Sequence, residues 1–160
     1  MITQAEVLEL YEYKDGELYW KKNANKKIKL GAKAGGNSVN SDGRKSIYVN
    51  GKSFLASRII FLHQNGYLPA IIDHINGVKT DNCIENLRPA TYLQNNQNAK
   101  IRKDNKSGYK GVSLKKNKWY VQIKIDGKKK SFGYYDDLEL ADLVAQEARN
   151  KYHKDFARHK

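Results

Sequence analysis

Four polar side chains near the middle of the chain have the types that phosphodiester hydrolysis requires: Asp73, His74, Asn86 and Asn95. That reaction needs a cation beside the scissile phosphate and a base that deprotonates the attacking water. Here a carboxylate and amides could hold the cation, and an imidazole could act as the base. Because carboxylate and amide oxygens are hard ligands, they favour Mg²⁺ or Mn²⁺ over Zn²⁺.

The spacing of these residues, and not their types alone, carries the hypothesis. An Asp-His pair is most often a turn or surface pair, and asparagines commonly shape loops and helix caps. His74 and Asn86 are 12 residues apart, and Asp73 and Asn95 are 22 apart. Adjacent residues of a regular strand point to opposite faces, so the strand must bulge or end at the Asp-His pair. The Asn-Gly pair two residues later favours an ending.

The residues around this set, DHINGVKTDNCIENLRPAT, resemble the HNH endonuclease family, in particular the homing nucleases of phages and introns. The resemblance implies a ββα-metal fold and a cut that leaves a 5′ phosphate and a 3′ hydroxyl. It also implies that Asp73 and Asn95 hold a single divalent metal, Mg²⁺ or Mn²⁺, against the scissile phosphate. His74 would be the general base, and Asn86 would orient the histidine and brace the loop.

Turn signals and periodicity predict the elements that position these residues. Asp-Gly and Asn-Gly pairs at 15–16 and 50–51 are typical of hairpin turns, and they separate short aromatic and β-branched runs. A Thr-Tyr-Leu-Gln sequence starting at Thr91 has the form of a capping box, which predicts the start of a helix. The expected elements before that helix are strands at 18–20, 46–49, 52–55, 70–74 and 87–90 and a helix at 56–64.

The C-terminal part is expected to form a three-stranded sheet and one helix. Turns at 116–117 and 126–127 separate strands at 109–113, 119–125 and 128–132. Alternation along the middle strand turns Val121 and Ile123 toward the helix and Gln122 and Lys124 away from it. The helix, at 138–151, has an apolar stripe at the three- and four-residue spacing of one packed face, formed by Leu140, Ala141, Val144, Ala145, Ala148 and Tyr152.

The segments SGYKGV, KW and FG and the Ala-rich helix of this part resemble the AP2 DNA-binding domain. The resemblance implies that the sheet lies on the major groove while the helix packs behind it. Gln122 could then contact adenine, and Lys124 guanine or phosphate. Trp119 is expected in the core rather than on DNA. The full set of candidate DNA-contacting residues is Lys115, Lys116, Lys118, Tyr120, Gln122, Lys124 and Lys129.

These observations predict an α+β fold. A small N-terminal β segment leads into a ββα-metal (HNH) core, and an AP2-like three-stranded antiparallel sheet packed on one helix follows. The polar, basic run KIRKDNKS has no periodicity and is typical of a linker. The expected domains are a nuclease domain at 1–100 with its core at about 70–100, a basic linker at 101–107 and a DNA-binding domain at 108–160.

Charge supports a nucleic-acid partner and the composition argues against a membrane. The 160 residues include 30 basic and 17 acidic side chains, a formal charge of +13, and residues 61–100 are neutral between two basic flanks. Lys and Arg near phosphates release counterions, so the flanks indicate a polyanionic partner, and the resemblance to HNH nucleases implies that this partner is double-stranded DNA. No apolar run could span a bilayer, no secretion signal is evident, and one cysteine cannot form an internal disulfide. We expect a cytoplasmic protein of a bacterial host, encoded by a phage or mobile element.

Two alternatives to a DNA endonuclease remain at this level. The first is a non-catalytic DNA-binding regulator, in which the AP2-like part acts and the HNH-like part is a degenerate scaffold. The second, suggested by charge alone, is an RNA-binding or RNA-cleaving protein. The presence of all four site residues disfavours the regulator. One site per chain implies one strand cut per binding event, so a monomer would nick DNA and a homodimer could cut both strands.

Overall fold

The computed structural model describes residues 2–22, 28–35 and 39–160, which separate into two units at residues 1–90 and 91–160. Each unit has its own apolar core. The division falls ten residues before the end of the nuclease domain expected from the basic linker, because the helix after Thr91 contacts the C-terminal 3₁₀ turn Lys154–Phe156, and Lys110 donates to the Gln97 and Ala99 carbonyls. The assignment of a nuclease and an AP2-like domain stays a prediction.

The first unit is assembled from short hairpins around one helix. Its elements are α1 (Gln4–Leu10), β1 (Tyr11–Lys14), β2 (Glu17–Trp20), β3 (Ser46–Val49), β4 (Lys52–Leu55), α2 (Ala56–Asn65), β5 (Ile71–His74) and β6 (Leu87–Ala90). The expected strands and helix of this part are confirmed within two residues. Two elements had not been predicted, α1 and β1. A capping box between Thr3 and Glu6 starts α1.

Helix α2 supplies much of the core of this unit. Its residues Ile59, Ile60, Phe61 and Leu62 are all buried, and Val7, Tyr11 and Leu18 pack with them from α1, β1 and β2. The helix ends at Gly66, which has φ 79° and donates its N–H to the Leu62 carbonyl at 3.0 Å. The first unit therefore holds its hairpins on one rigid helix.

Strands β5 and β6 form an antiparallel pair in which Asp73 lies opposite Arg88 and His74 opposite Leu87. A loop of residues 75–86 joins them and ends in a 3₁₀ turn, Ile84–Asn86. Helix α3 (Tyr92–Gln97) follows β6 along the chain, and the predicted capping box of Thr91 and Gln94 starts it. The chain order β5, β6, α3 agrees with that of a ββα core.

The second unit confirms the expected three-stranded antiparallel sheet and helix, but the first strand begins at 112 instead of 109, because Gly108 and Gly111 have positive φ, and the third continues to 135 instead of ending at 132. Strands β7 (Val112–Lys115), β8 (Lys118–Ile125) and β9 (Lys128–Tyr135) lie in that order, followed by α4 (Leu138–His153). Val121 is fully buried with Ala141 and Ala145 of α4, and Trp119 packs against this core, as expected. The small alanines let α4 lie close to the sheet.

The prediction that Leu140 belongs to the buried stripe of the helix is wrong. Leu140 is 48% exposed, whereas Ala141, Ala145 and Ala148 are buried. One residue corresponds to a rotation of about 100° around a helix axis, so Leu140 lies to the side of the face that Ala141 defines. Within the described residues, none of the helices has the length and apolar character needed to cross a bilayer.

Candidate active site

Asp73 and His74 occupy the last two positions of β5, and the strand ends there without a bulge. The register with β6 is continuous through His74. After it, the Ile75 N–H donates to the Asn86 carbonyl at 2.9 Å and the Gly77 N–H donates to the His74 carbonyl at 2.8 Å, which turns the chain away. The expected ending is therefore confirmed. Both side chains are buried, at 5% and 8% exposure.

The carboxylate of Asp73 is held across the hairpin by Arg88. Its Oδ2 accepts a hydrogen bond from Arg88 Nε at 2.8 Å and forms an ion pair with Arg88 Nη2, also at 2.8 Å. The side chains are 6% and 15% exposed, so this is a shielded ion pair. Because both contacts end on Oδ2, the pair fixes the orientation of the carboxylate through one of its two oxygens.

The imidazole of His74 is hydrogen-bonded to Asn82, a residue that the sequence analysis missed. The distance from Nε2 to Asn82 Oδ1 is 3.1 Å, and both side chains are buried. An amide oxygen can only accept, so Nε2 is the donor in this contact, and in a neutral ring that tautomer places the lone pair on Nδ1. A general base needs such an acceptor nitrogen.

Asn86 contacts the loop that connects β5 and β6. Its Nδ2 donates to the Asp81 carbonyl at 2.8 Å and to Asn76 Oδ1 at 3.0 Å, while its Oδ1 accepts from the Asn76 N–H at 2.9 Å. These bonds join the two ends of the loop, and the role of Asn86 in orienting the histidine stays a prediction. The side chain seen bonded to the imidazole is Asn82.

Asp81 and Cys83 add to the hydrogen bonding of the same loop. Asp81 accepts from the Cys83 N–H at 3.3 Å and from the Asn76 side chain at 2.6 Å, and these bonds lower the pKa of Asp81. A hydrogen bond with Asp81, followed by burial, raises the pKa of the Cys83 thiol. A raised pKa disfavours the thiolate, which argues against Cys83 as a nucleophile.

Asn95 lies in α3, in the second unit. The capping box at Thr91 sets the start of the helix, and the Asn95 N–H donates to the Thr91 carbonyl at 2.9 Å. The side chain is half-buried. Asn95 therefore sits one turn into a helix whose start the sequence specifies.

The donor set suits a hard divalent cation. No group of three or more His, Cys, Asp or Glu side chains that could hold a metal occurs among residues 2–22, 28–35 and 39–160. The candidate pair contains one carboxylate and one amide. Mg²⁺ commonly binds through one or two protein oxygens and keeps several waters, whereas a structural Zn²⁺ site needs more protein ligands.

The candidate DNA-contacting residues lie on the sheet of the second unit. Lys115 Nζ lies 3.9 Å from the centre of the Tyr120 ring. The centre of the Tyr134 ring lies 4.7 Å from the centre of the same Tyr120 ring. Gln122 Nε2 donates to Tyr120 Oη at 3.0 Å, and Tyr120 itself is 8% exposed. Lys118 pairs with Asp136 at 3.1 Å. The exposed members of the set are Lys115, Lys116, Lys118, Lys124 and Lys129.

Two further histidines, His63 and His153, contact backbone carbonyl groups. His63 Nε2 lies 3.2 Å from the Tyr11 carbonyl, and burial lowers its pKa. His153 Nε2 lies 2.9 Å from the Lys124 carbonyl, and burial likewise lowers its pKa.

Comparison with known proteins identifies an HNH endonuclease segment in the chain. Residues 54–97, which include Asp73, His74, Asn86 and Asn95, match the family model described as HNH endonuclease. The chain is 36% identical over 98 residues to Protein 3.8 of Escherichia phage T7, an alignment that covers 59% of this chain and 80% of that protein. No solved structure matches the chain. The chain therefore belongs to the same family as phage T7 Protein 3.8 and carries an HNH endonuclease domain at residues 54–97.

Proposed function

We propose that this protein is a metal-dependent DNA endonuclease of the homing type. The observation that carries the proposal is the buried imidazole of His74 at the end of β5, held by a 3.1 Å contact between its Nε2 and Asn82 Oδ1. This residue lies inside the segment that matches the HNH endonuclease model. Encoded by a phage or mobile element, the enzyme would act in the cytoplasm of a bacterial host.

In the proposed reaction, His74 accepts a proton from the attacking water at Nδ1. Asp73, oriented by Arg88, and Asn95 would hold one Mg²⁺ or Mn²⁺. When bound, the ion would supply positive charge for the phosphate oxygens and the 3′ leaving oxygen. Asn86 keeps the loop closed behind the histidine. The products are a 5′ phosphate and a 3′ hydroxyl.

The proposed DNA-binding part is the AP2-like domain at 108–160, joined through the linker at 101–107 to the nuclease domain at 1–100. The basic side chains around β7, β8 and β9 would hold phosphates, and Gln122 and Lys124 would contact base edges. Tyr120 would support Gln122 through the bond between them, since its ring is covered by Lys115 and Tyr134. Binding to phosphates should weaken as salt increases.

The experiment incubates supercoiled plasmid or phage DNA with the pure full chain in Mg²⁺, Mn²⁺ or EDTA. Open-circle or linear product that appears with metal and is absent with EDTA is expected. Ends that DNA ligase can rejoin would show the 5′ phosphate and 3′ hydroxyl. Nicked circles would indicate a monomer acting once, and direct linear product a homodimer. Binding without cleavage, on DNA carrying the bound site, would contradict the proposal and support a regulator.

A further inference from the structure

The loop that carries Asn82 is contacted by the N-terminal hairpin of β1 and β2. Tyr13 of β1 accepts, through its hydroxyl oxygen, the Ile84 N–H at 2.9 Å. At the tip of the hairpin, a Cβ built on Gly16 would lie 2.8 Å from the Cys83 nitrogen and 3.1 Å from the Asn82 carbonyl carbon. The hairpin therefore contacts three consecutive residues of the loop: Asn82, Cys83 and Ile84.

This hairpin is itself fixed in the core of the first unit. Tyr11 and Leu18 are fully buried and belong to the same cluster as Ile59 and Ile60 of α2. Burial raises the pKa of Tyr11 to about 12, and its hydroxyl donates to the Tyr48 carbonyl at 3.2 Å. A rigid element therefore extends from the core to the loop.

Asn82 links the loop to the imidazole. Asn82 is 3% exposed and His74 is 8% exposed, so water does not compete freely for their hydrogen bond. The side chain of Asn86, in contrast, bonds to Asn76 and to the Asp81 backbone. Of these two asparagines, Asn82 has the contact that selects a ring tautomer.

We infer that Asn82 is the positioning residue for His74 and that the hairpin of β1 and β2 holds Asn82 in place. Asn82 keeps the proton on Nε2, so that Nδ1 is the nitrogen that accepts a proton. The hairpin, through Tyr13 and Gly16, prevents the 82–84 segment from shifting toward the core. The catalytic consequence rests on the proposed function, whereas the tautomer and the support of the loop do not.

The first test measures the tautomer directly by nitrogen NMR of the full chain labelled at histidine, with His74 assigned from the signals missing in His74→Gln. In the wild type the proton should be on Nε2. Asn82→Ala should give a mixture of tautomers, and Asn82→Asp, which keeps an acceptor oxygen, should restore Nε2–H. An unchanged tautomer in Asn82→Ala would overturn the role of Asn82.

The second test compares two glycine variants with the same backbone conformation. Gly16 and Gly51 follow Asp15 and Asn50 in turns with positive φ at both positions, with φ 77° and 75° at the glycines, but a Cβ on Gly51 meets nothing within 4 Å. Gly16→Ala and Asn82→Ala should lower kcat roughly 10- to 100-fold without changing KM for plasmid DNA. Gly51→Ala should leave kcat unchanged.

Two results of the kinetic test would count against the support of the loop. One is equal kcat in Gly16→Ala and Gly51→Ala, which would show that contact with the loop has no effect. The other is a rise in KM in Gly16→Ala at constant kcat, which would indicate lost DNA binding. Absence of cleavage by the wild type would refute the proposed nuclease. In that case the His74 tautomer of Gly16→Ala, measured by NMR, tests whether the hairpin holds Asn82 in place. A wild-type tautomer would overturn this role of the hairpin, and a mixture of tautomers would uphold it.

Discussion

Replacing Arg88 by Met should destabilise the first unit strongly, because it leaves the Asp73 carboxylate without its cation. Asp73 Oδ2 receives a 2.8 Å hydrogen bond from Arg88 Nε and lies 2.8 Å from Arg88 Nη2, and the two side chains are 6% and 15% exposed. Water cannot replace the guanidinium at such low exposure. Removal of one partner from a buried ion pair typically costs about 3–5 kcal/mol of unfolding free energy. That is a large fraction of the roughly 5–15 kcal/mol that stabilises a domain.

The assay is urea denaturation of the full chain at neutral pH, with Lys22→Met as the matched control. Lys22 pairs with Glu9 at 2.5 Å in the same unit, but these side chains are 62% and 61% exposed. The control should therefore lose less than about 1 kcal/mol. In a double-mutant cycle, adding Asp73→Asn to Arg88→Met should recover part of the loss. If Arg88→Met costs no more than Lys22→Met, the pair does not hold the carboxylate and the reasoning fails.

Three further predictions concern the second unit. Gln122→Ala with Lys124→Ala should weaken binding and relax site preference while leaving the cleavage chemistry intact; unchanged affinity and preference in a gel-shift competition would refute readout by the sheet. Burial, with Arg149 and Arg158 nearby, lowers the pKa of Lys110 to about 8, so the unfolded chain binds more protons between about pH 8 and about pH 10.5. The free energy of unfolding should therefore rise by about 2 kcal/mol between about pH 8 and about pH 10.5, once screening by solvent is allowed for. Urea denaturation of the wild type at these two pH values measures the rise, and Lys110→Met should not show it. Leu140→Ala should change stability by less than about 0.5 kcal/mol in a thermal melt, whereas Ala145→Leu should cost about 1–3 kcal/mol; equal losses would contradict the packing of α4.

Local signals were sufficient to predict most of the elements. The hairpin turn at Asn50-Gly51, the capping box at Thr91 and the alternation along β8 each depend on a few adjacent residues, and each is confirmed. Helix α1 also had a local signal, the Thr3 and Glu6 capping box, which the sequence analysis did not use. Elements set by neighbouring residues can therefore be found without a structure.

The partners inside the candidate site could not be predicted in the same way. Arg88 lies opposite Asp73 only because the register of β5 and β6 is set across a loop of 12 residues. Asn82 reaches His74 only after that loop has folded, and its position also depends on contacts with Tyr13, 71 residues from Ile84 in the sequence. Spacing indicates which residues carry the chemistry, whereas the residues that orient them depend on long-range packing.

The most direct test of the central claim is a comparison of His74→Ala with the wild type on supercoiled DNA in Mg²⁺, with binding measured on the same samples. The variant should bind DNA with wild-type affinity and lose at least about 100-fold in cleavage rate, because a general base contributes roughly 10²–10⁴-fold. Cleavage by His74→Ala at the wild-type rate would show that another group takes the proton and that His74 is not the general base.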